Sequence, residues 1–94
     1  MHIISKQVIR AFYAIHPDAK VSLERWFNLM KKTDFGSFAE LRNVFASVDF
    51  VQEKLVFNIG GNKYRLIVVP HFNRNKLFIR AVLTHEEYNL DRWK

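Results

Sequence analysis

The spacing of hydrophobic residues changes near residue 50, and that change limits the possible folds more than any other feature of the chain. Before it, apolar side chains recur every three or four residues: Val8, Phe12 and Ile15 with Ile9 and Tyr13 alongside, then Leu23, Trp26, Phe27 and Met30. This is the period of helices that bury one stripe. After it the chain alternates, through Leu55, Phe57 and Ile59, then Tyr64, Leu66 and Val68, then Phe78, Arg80 and Val82. Helices followed by strands bury their apolar faces by packing one layer on the other. The expectation is therefore an α+β fold of two layers, with helices covering one face of a mainly antiparallel sheet.

Local signals place the elements. "HIIS" reads as a brief first strand ending near Ser5, a residue type that caps helices. Pro17, in "HPDAK", stops the first helix and suits the first turn of a second, which closes on Lys31 and Lys32 where cations favour the negative end of the dipole. Ser37 and Glu40 have capping-box spacing, which predicts a short third helix to about Phe45. "ASVDF" reads as loop, and three strands follow, joined by "GGN" and "PHFNRN" with Pro70 at a strand end. A length of 94 residues predicts a single domain, 1–94. With 49% apolar residues, 3 Gly and 2 Pro, the chain has the material for a core and not the composition of a disordered one.

No apolar run approaches a bilayer span, since "LIVV" stops at Pro70, and Lys6 and Arg10 interrupt the region where a signal peptide would be apolar. A soluble, cytoplasmic protein with no membrane contact is expected. There is no cysteine, which excludes disulfides and thiolate chemistry.

The charge is unevenly placed. Lys and Arg number 15 against 9 Asp and Glu, and no carboxylate falls between Glu53 and Glu86, where Lys54, Lys63, Arg65, Arg74, Lys76 and Arg80 all lie. Such segregation produces a positive field that attracts polyanions, with nucleic acid the leading partner and an acidic protein the alternative. Alternation puts Lys63, Arg65, Ile67 and Val69 on the face opposite Tyr64, Leu66 and Val68. If the latter pack on the helices, the two cations look out from the free face. Arg65 lies inside its strand and is suited to phosphate because its planar fork holds two oxygens. Lys63 is next to a turn, where a lysine also occurs simply as a solvated side chain. Arg80, flanked by apolar neighbours in "FIRAVL", calls for a partner: Asp49 or Glu53 from the fold, or a phosphate from outside. Lys54, Arg74 and Lys76 extend the basic region.

"LTHEEYNL" brings His85 and Tyr88 within one helical turn just past the last strand. A histidine exchanges protons near neutrality and a tyrosine stacks on bases; on residue type alone, however, a histidine capping the strand end and a tyrosine covering the core is the better reading. Glu86 and Glu87 are solvated on this reading, or orient His85. His2, His16, His71 and His85 lack ligand spacing such as HxxxH, so no metal site is expected. The glycines of "NIGGNK" belong to a hairpin turn and not to a phosphate loop opening a helix.

Together, "NIGGNKYR" at 58–65 and "THEEY" at 84–88 resemble the HigB family of bacterial toxins, within the wider RelE-like group of mRNA interferases. The resemblance extends over nearly the whole chain; it departs from the family at Asn89, where aspartate is common. It implies a RelE-like fold working from the sheet face opposite the helix hairpin. It implies an endoribonuclease that cleaves mRNA, commonly on translating ribosomes, by metal-free attack of the ribose 2′-OH, with no cofactor. It also implies a cognate HigA-type antitoxin with a helix-turn-helix domain, whose complex with the toxin binds operator DNA. On this basis His85, Arg65, Arg80 and Tyr88 are the expected catalytic residues, with Lys63, Lys54, Arg74 and Lys76 holding RNA. The competing readings are a non-catalytic RNA-binding or ribosome-docking module, and an interaction protein for an acidic partner.

Overall fold

The computed structural model describes residues 1–94. Its helical half forms where apolar residues line one stripe. Helix α1 (Gln7–Ile15) buries Ile9 fully, with Val8, Phe12 and Tyr13 packed at the edge of the core. Ile15, expected on the same stripe, is 77% exposed, because it sits at the last position before the turn leaves the sheet. A 3₁₀ turn (Pro17–Ala19) with proline at its start leads into α2 (Lys20–Lys32), which buries Leu23, Trp26 and Met30 and ends on Lys31 and Lys32 as its sequence requires. The Met1 amine reaches the same helix end, donating to the carbonyls of Met30 and Thr33 and to Asp34. It supplies donors where a helix leaves its last carbonyls unpaired. Helix α3 (Phe38–Val44) starts at Ser37, whose hydroxyl accepts from the Glu40 amide, while the Glu40 carboxylate reaches back to the Gly36 amide. Ser5 does not cap α1 through its side chain: it takes a left-handed φ of 73°, and its carbonyl accepts from the Val8 amide.

Five strands form one sheet in the order β1-β5-β4-β3-β2, built from β1 (His2–Ile4), β2 (Asp49–Val51), β3 (Lys54–Ile59), β4 (Tyr64–His71) and β5 (Lys76–Thr84). Only β1, running beside β5, pairs in parallel. The segment read as loop therefore contains a strand, β2. Its hairpin to β3 turns through Gln52 and Glu53, both at positive φ (49° and 64°), positions where glycine or asparagine is the usual signal and neither occurs. The β3–β4 turn does carry its signal, with Gly60 and Gly61 at φ 62° and 70°.

One departure from strict alternation matters for the site. In the β4–β5 ladder, Ile67 pairs with Ala81 and Val68 with Ile79, so Arg80 is an extra residue with no partner across. This β-bulge resets the phase of the strand. Leu77, Ile79 and Val82 all join the core beneath the helices, while Arg80 and Ala81 both look out from the opposite face. The simple alternation of Phe78, Arg80 and Val82 on one face is thereby corrected. Arg80 is exposed and in no ion pair; Asp49 and Glu53 do not approach it, and none is needed because water reaches the guanidinium.

The layers are tied by buried aromatics and a few charged hydrogen bonds. Trp26 and Phe45 pack edge-on against Phe57 of β3, at 5.4 and 5.1 Å between centroids. Tyr64 donates to both oxygens of Asp18 at 2.8 and 2.9 Å, and Tyr13 of α1 donates to Glu24 of α2 at 2.8 Å. These hydroxyls, with Lys63 on Asp18 and Lys6 on Glu24, hold both carboxyls below the usual range, and the Met1 amine followed by Asn75 does the same to Asp34. The two phenols are pushed up by the same bonds. A carboxyl whose pKa is depressed by folding binds its proton more readily in the unfolded chain, so its stabilisation is complete above about pH 4 and is lost as pH falls through the folded value. The phenols contribute below about pH 10 and lose that contribution as pH rises. Thermal midpoints should therefore form a plateau between these limits. Asp18→Asn should flatten the acid limb; an unchanged acid limb in that variant would remove the Asp18 contacts from the stability of the fold.

Candidate RNA-cleavage site

The sheet face opposite the helices is not wholly free. The chain past β5 turns back over it, and Trp93 packs with Val56 and Ile67 in a second small core, bordered by Val51, Ala81, Leu83 and Tyr88. What was expected to be an open surface is thus a covered patch beside an open one. The turn that makes this possible is α4 (His85–Asn89), started by a full capping box: the Thr84 hydroxyl accepts from the Glu87 amide, and the Glu87 carboxylate accepts from the Thr84 amide at 2.9 Å. Glu87 is committed to that cap and does not orient His85.

The two motifs read from the sequence meet at this end of the sheet. The His85 amide donates to the Lys63 carbonyl at 3.1 Å, which ties the first turn of α4 to the β3–β4 turn. Arg65 lies beneath, 8% exposed, on the outer face as alternation requires. Its guanidinium donates to the Asn62 and Tyr64 carbonyls at 3.2 and 3.1 Å and to Asn62 Oδ1 at 2.7 Å, and its Cζ stands 5.3 Å from the centre of the Tyr88 ring. Three of the five N–H donors of an arginine are used in this way, leaving two without a partner in the protein. Tyr88 in turn stacks on Trp93 at 5.0 Å and 15°, and the Trp93 indole N–H donates to the Tyr88 carbonyl. Arg65 is therefore aimed and shielded, its charge held on a rigid stack and not waving in solvent. Tyr88 takes the core-covering role open to it from sequence, packing against the second core, and also flanks the Arg65 cation.

His85 is exposed, with Nδ1 3.3 Å from the Asn89 side-chain amide. In that pairing Asn89 donates, and the neutral ring carries its proton on Nε2. Arg80 lies three residues before Leu83, the residue paired with Arg65, on the same outer face. Lys63 parts company with Arg65: it belongs to the turn and reaches back to Asp18 at 3.2 Å, on the helix side. Arg74, in the 3₁₀ turn Phe72–Arg74, and Lys76 sit at the far end of the β4–β5 hairpin, roughly 20 Å from Arg65 along the strand. Lys54 shares that end, its Nζ 3.5 Å from the Gln52 carbonyl. These three flank a path along the sheet and do not converge with His85. Asn62, Arg92 and Trp93 were missed by sequence reasoning. The asparagine was legible only as turn chemistry, and the last two lie past every periodic segment. No group of three or more His, Asp or Glu side chains is placed to hold a metal ion, and no helix is long and apolar enough to cross a membrane.

A sheet end that gathers a shielded arginine, an exposed imidazole and a stacked tyrosine has the groups for phosphodiester chemistry, and comparison with known proteins gives the chain its family. The family model of HigB toxins, the RelE-like toxic component of a toxin-antitoxin system, matches residues 19–91. The mRNA interferase toxin HigB of Escherichia coli strain K12 is 33% identical over 92 residues, covering 95% of this chain and 88% of the relative. The mRNA interferase HigB of Shigella flexneri aligns equally well, and that of Escherichia coli O6:H1 is 29% identical over the same length. The chain belongs to the HigB toxin family.

Proposed function

We propose that this protein, acting as one domain over residues 1–94, is an mRNA interferase, and that it cuts RNA at the β4–α4 end of the sheet. The observation that carries this reading is the convergence of Arg65, His85 and Tyr88 there, fastened by the His85 amide on the Lys63 carbonyl and by Asn62 on Arg65. In the reaction the ribose 2′-OH attacks the adjacent phosphorus, its proton passing to a base. The 5′-oxygen leaves with a proton from an acid, giving a cyclic phosphate and a 5′-hydroxyl. Arg65 has two N–H donors for the phosphorus oxygens, where negative charge grows in the transition state. His85 serves as the proton-transfer group, and Tyr88 holds Arg65 and offers an edge to a base. Arg80 takes a neighbouring phosphate of the strand, with Lys54, Arg74 and Lys76 along its path and Lys63 assisting from the turn.

The partner would be a HigA-type antitoxin with a helix-turn-helix domain, through which the complex meets operator DNA, and the mRNA would be met on the translating ribosome in the cytoplasm. Induction of the toxin without its antitoxin should arrest growth and create new 5′ ends within transcripts, mapped by end sequencing. RNA binding that weakens with salt but leaves transcripts whole would instead make the protein a non-catalytic RNA-binding module.

A further inference from the structure

The covered half of the outer face borders a cavity of about 480 Å³, lined by Arg80, Ala81, Leu83, Glu87, Leu90, Arg92 and Trp93. Its size is that of small-ligand sites, which run from roughly 300 to 1,000 Å³. Its lining is unusual in three respects. The floor is apolar and partly aromatic, from Ala81, Leu83, Leu90 and Trp93. Two arginines stand at it, Arg80 and Arg92, both exposed and neither in an ion pair. One carboxylate, Glu87, completes it: Oε1 accepts from the Thr84 amide, and Oε2 makes no hydrogen bond within the protein. The bulge is what leaves Ala81 on the same side as Arg80, and Leu83 and Trp93 are shared with the ground on which Arg65 and Tyr88 stand. Arg92 and Trp93 also lie past the segment, 19–91, that the family model matches.

We propose that this cavity is a nucleotide subsite, which takes the base of a residue next to the cleaved phosphate and prefers bases with an exocyclic amino group. The proposal rests on the cleavage reading given above and deepens it. An apolar floor suits the face of a base, and the two unpaired guanidinium groups suit the phosphates on either side of one nucleotide. The free oxygen of Glu87 is an acceptor only, so it takes a hydrogen bond from an amino group such as that of cytosine. Uracil places carbonyl oxygens on both sides of its single ring N–H, and these would face the carboxylate unfavourably. The subsite therefore selects cytosine over uracil.

The test is calorimetric titration of the intact protein with cytidine 3′,5′-bisphosphate and uridine 3′,5′-bisphosphate, probes that carry both flanking phosphates. The cytidine compound is expected to bind about tenfold tighter, the worth of one hydrogen bond to a charged group. Arg92→Ala should weaken both by about tenfold and keep their ratio. Glu87→Gln, which keeps its oxygen on the Thr84 amide and turns an NH2 donor toward the base, should bring the ratio to one or below. Equal binding of the two probes by the unaltered protein, or binding indifferent to Arg92→Ala, would overturn the subsite. Because binding is read without cleavage, the two proposals fail separately. A protein that binds the probes in this pattern yet cuts no RNA ends the cleavage reading alone, and one that cuts RNA with indifferent binding ends the subsite alone.

Discussion

His85→Ala is expected to slow RNA cleavage by about 10²–10⁴-fold, the usual worth of a positioned proton-transfer group, with almost no change in stability. The imidazole is exposed and its side chain pairs with Asn89. The bond that fastens α4 to the β3–β4 turn runs through the His85 backbone amide, and the helix is capped by Thr84 and Glu87. Both survive removal of the ring. Surface substitutions of this kind stay within about 0.5 kcal/mol, which for a chain of this size is roughly 2–4 °C in the thermal midpoint. Single-turnover cleavage of a defined RNA, beside a melting curve, reads both quantities. Cleavage at the unaltered rate would remove His85 from the mechanism.

Arg65→Ala should do damage of two kinds. Loss of a guanidinium placed for the transition-state charge costs about 10²–10³ in rate. The same change leaves the Asn62 amide oxygen and two backbone carbonyls without their donor and takes away the support under Tyr88, so stability should fall by about 1–3 kcal/mol. The two losses are separable through Asn62. Asn62→Ala keeps the charge of Arg65 but frees the end of the fork, and misplacing a reacting group by 1 Å costs up to about 10². Its stability loss should be the smaller. If Asn62 acts only by aiming Arg65, the double variant cleaves no more slowly than Arg65→Ala. Wild-type kinetics in Asn62→Ala would reduce that contact to an element of the turn.

Several features of this architecture are plain in the sequence because they depend on neighbours along the chain. The stripe of Leu23, Trp26 and Met30, the start of α3 at Ser37, the glycine turn at Gly60 and Gly61 and the side taken by Arg65 all follow from local period or backbone preference. The basic run between Glu53 and Glu86, together with the motifs around Arg65 and His85, is also legible in the sequence and points to an RNA-directed toxin. Strand β2 escaped notice because Gln52 and Glu53 occupy positive-φ positions without the usual residue types, so the pairing with β3 and not the turn chemistry holds them there.

What the sequence by itself determined is therefore the class of fold, the face of each regular strand and the kind of chemistry its cations suit. Only the tertiary structure decided which of those cations lie together. The bulge at Arg80 shifts β5 by one residue, a change that appears only when two strands are paired and that moves every side chain beyond it to the other face. Lys63 turns to Asp18, and Tyr88, backed by Trp93, comes to lie over Arg65, because the Lys63–Asp18 and Arg65–Tyr88 contacts join segments far apart in the chain. Periodicity reports on a residue and its near neighbours; convergence across the sheet depends on packing, which no local pattern encodes.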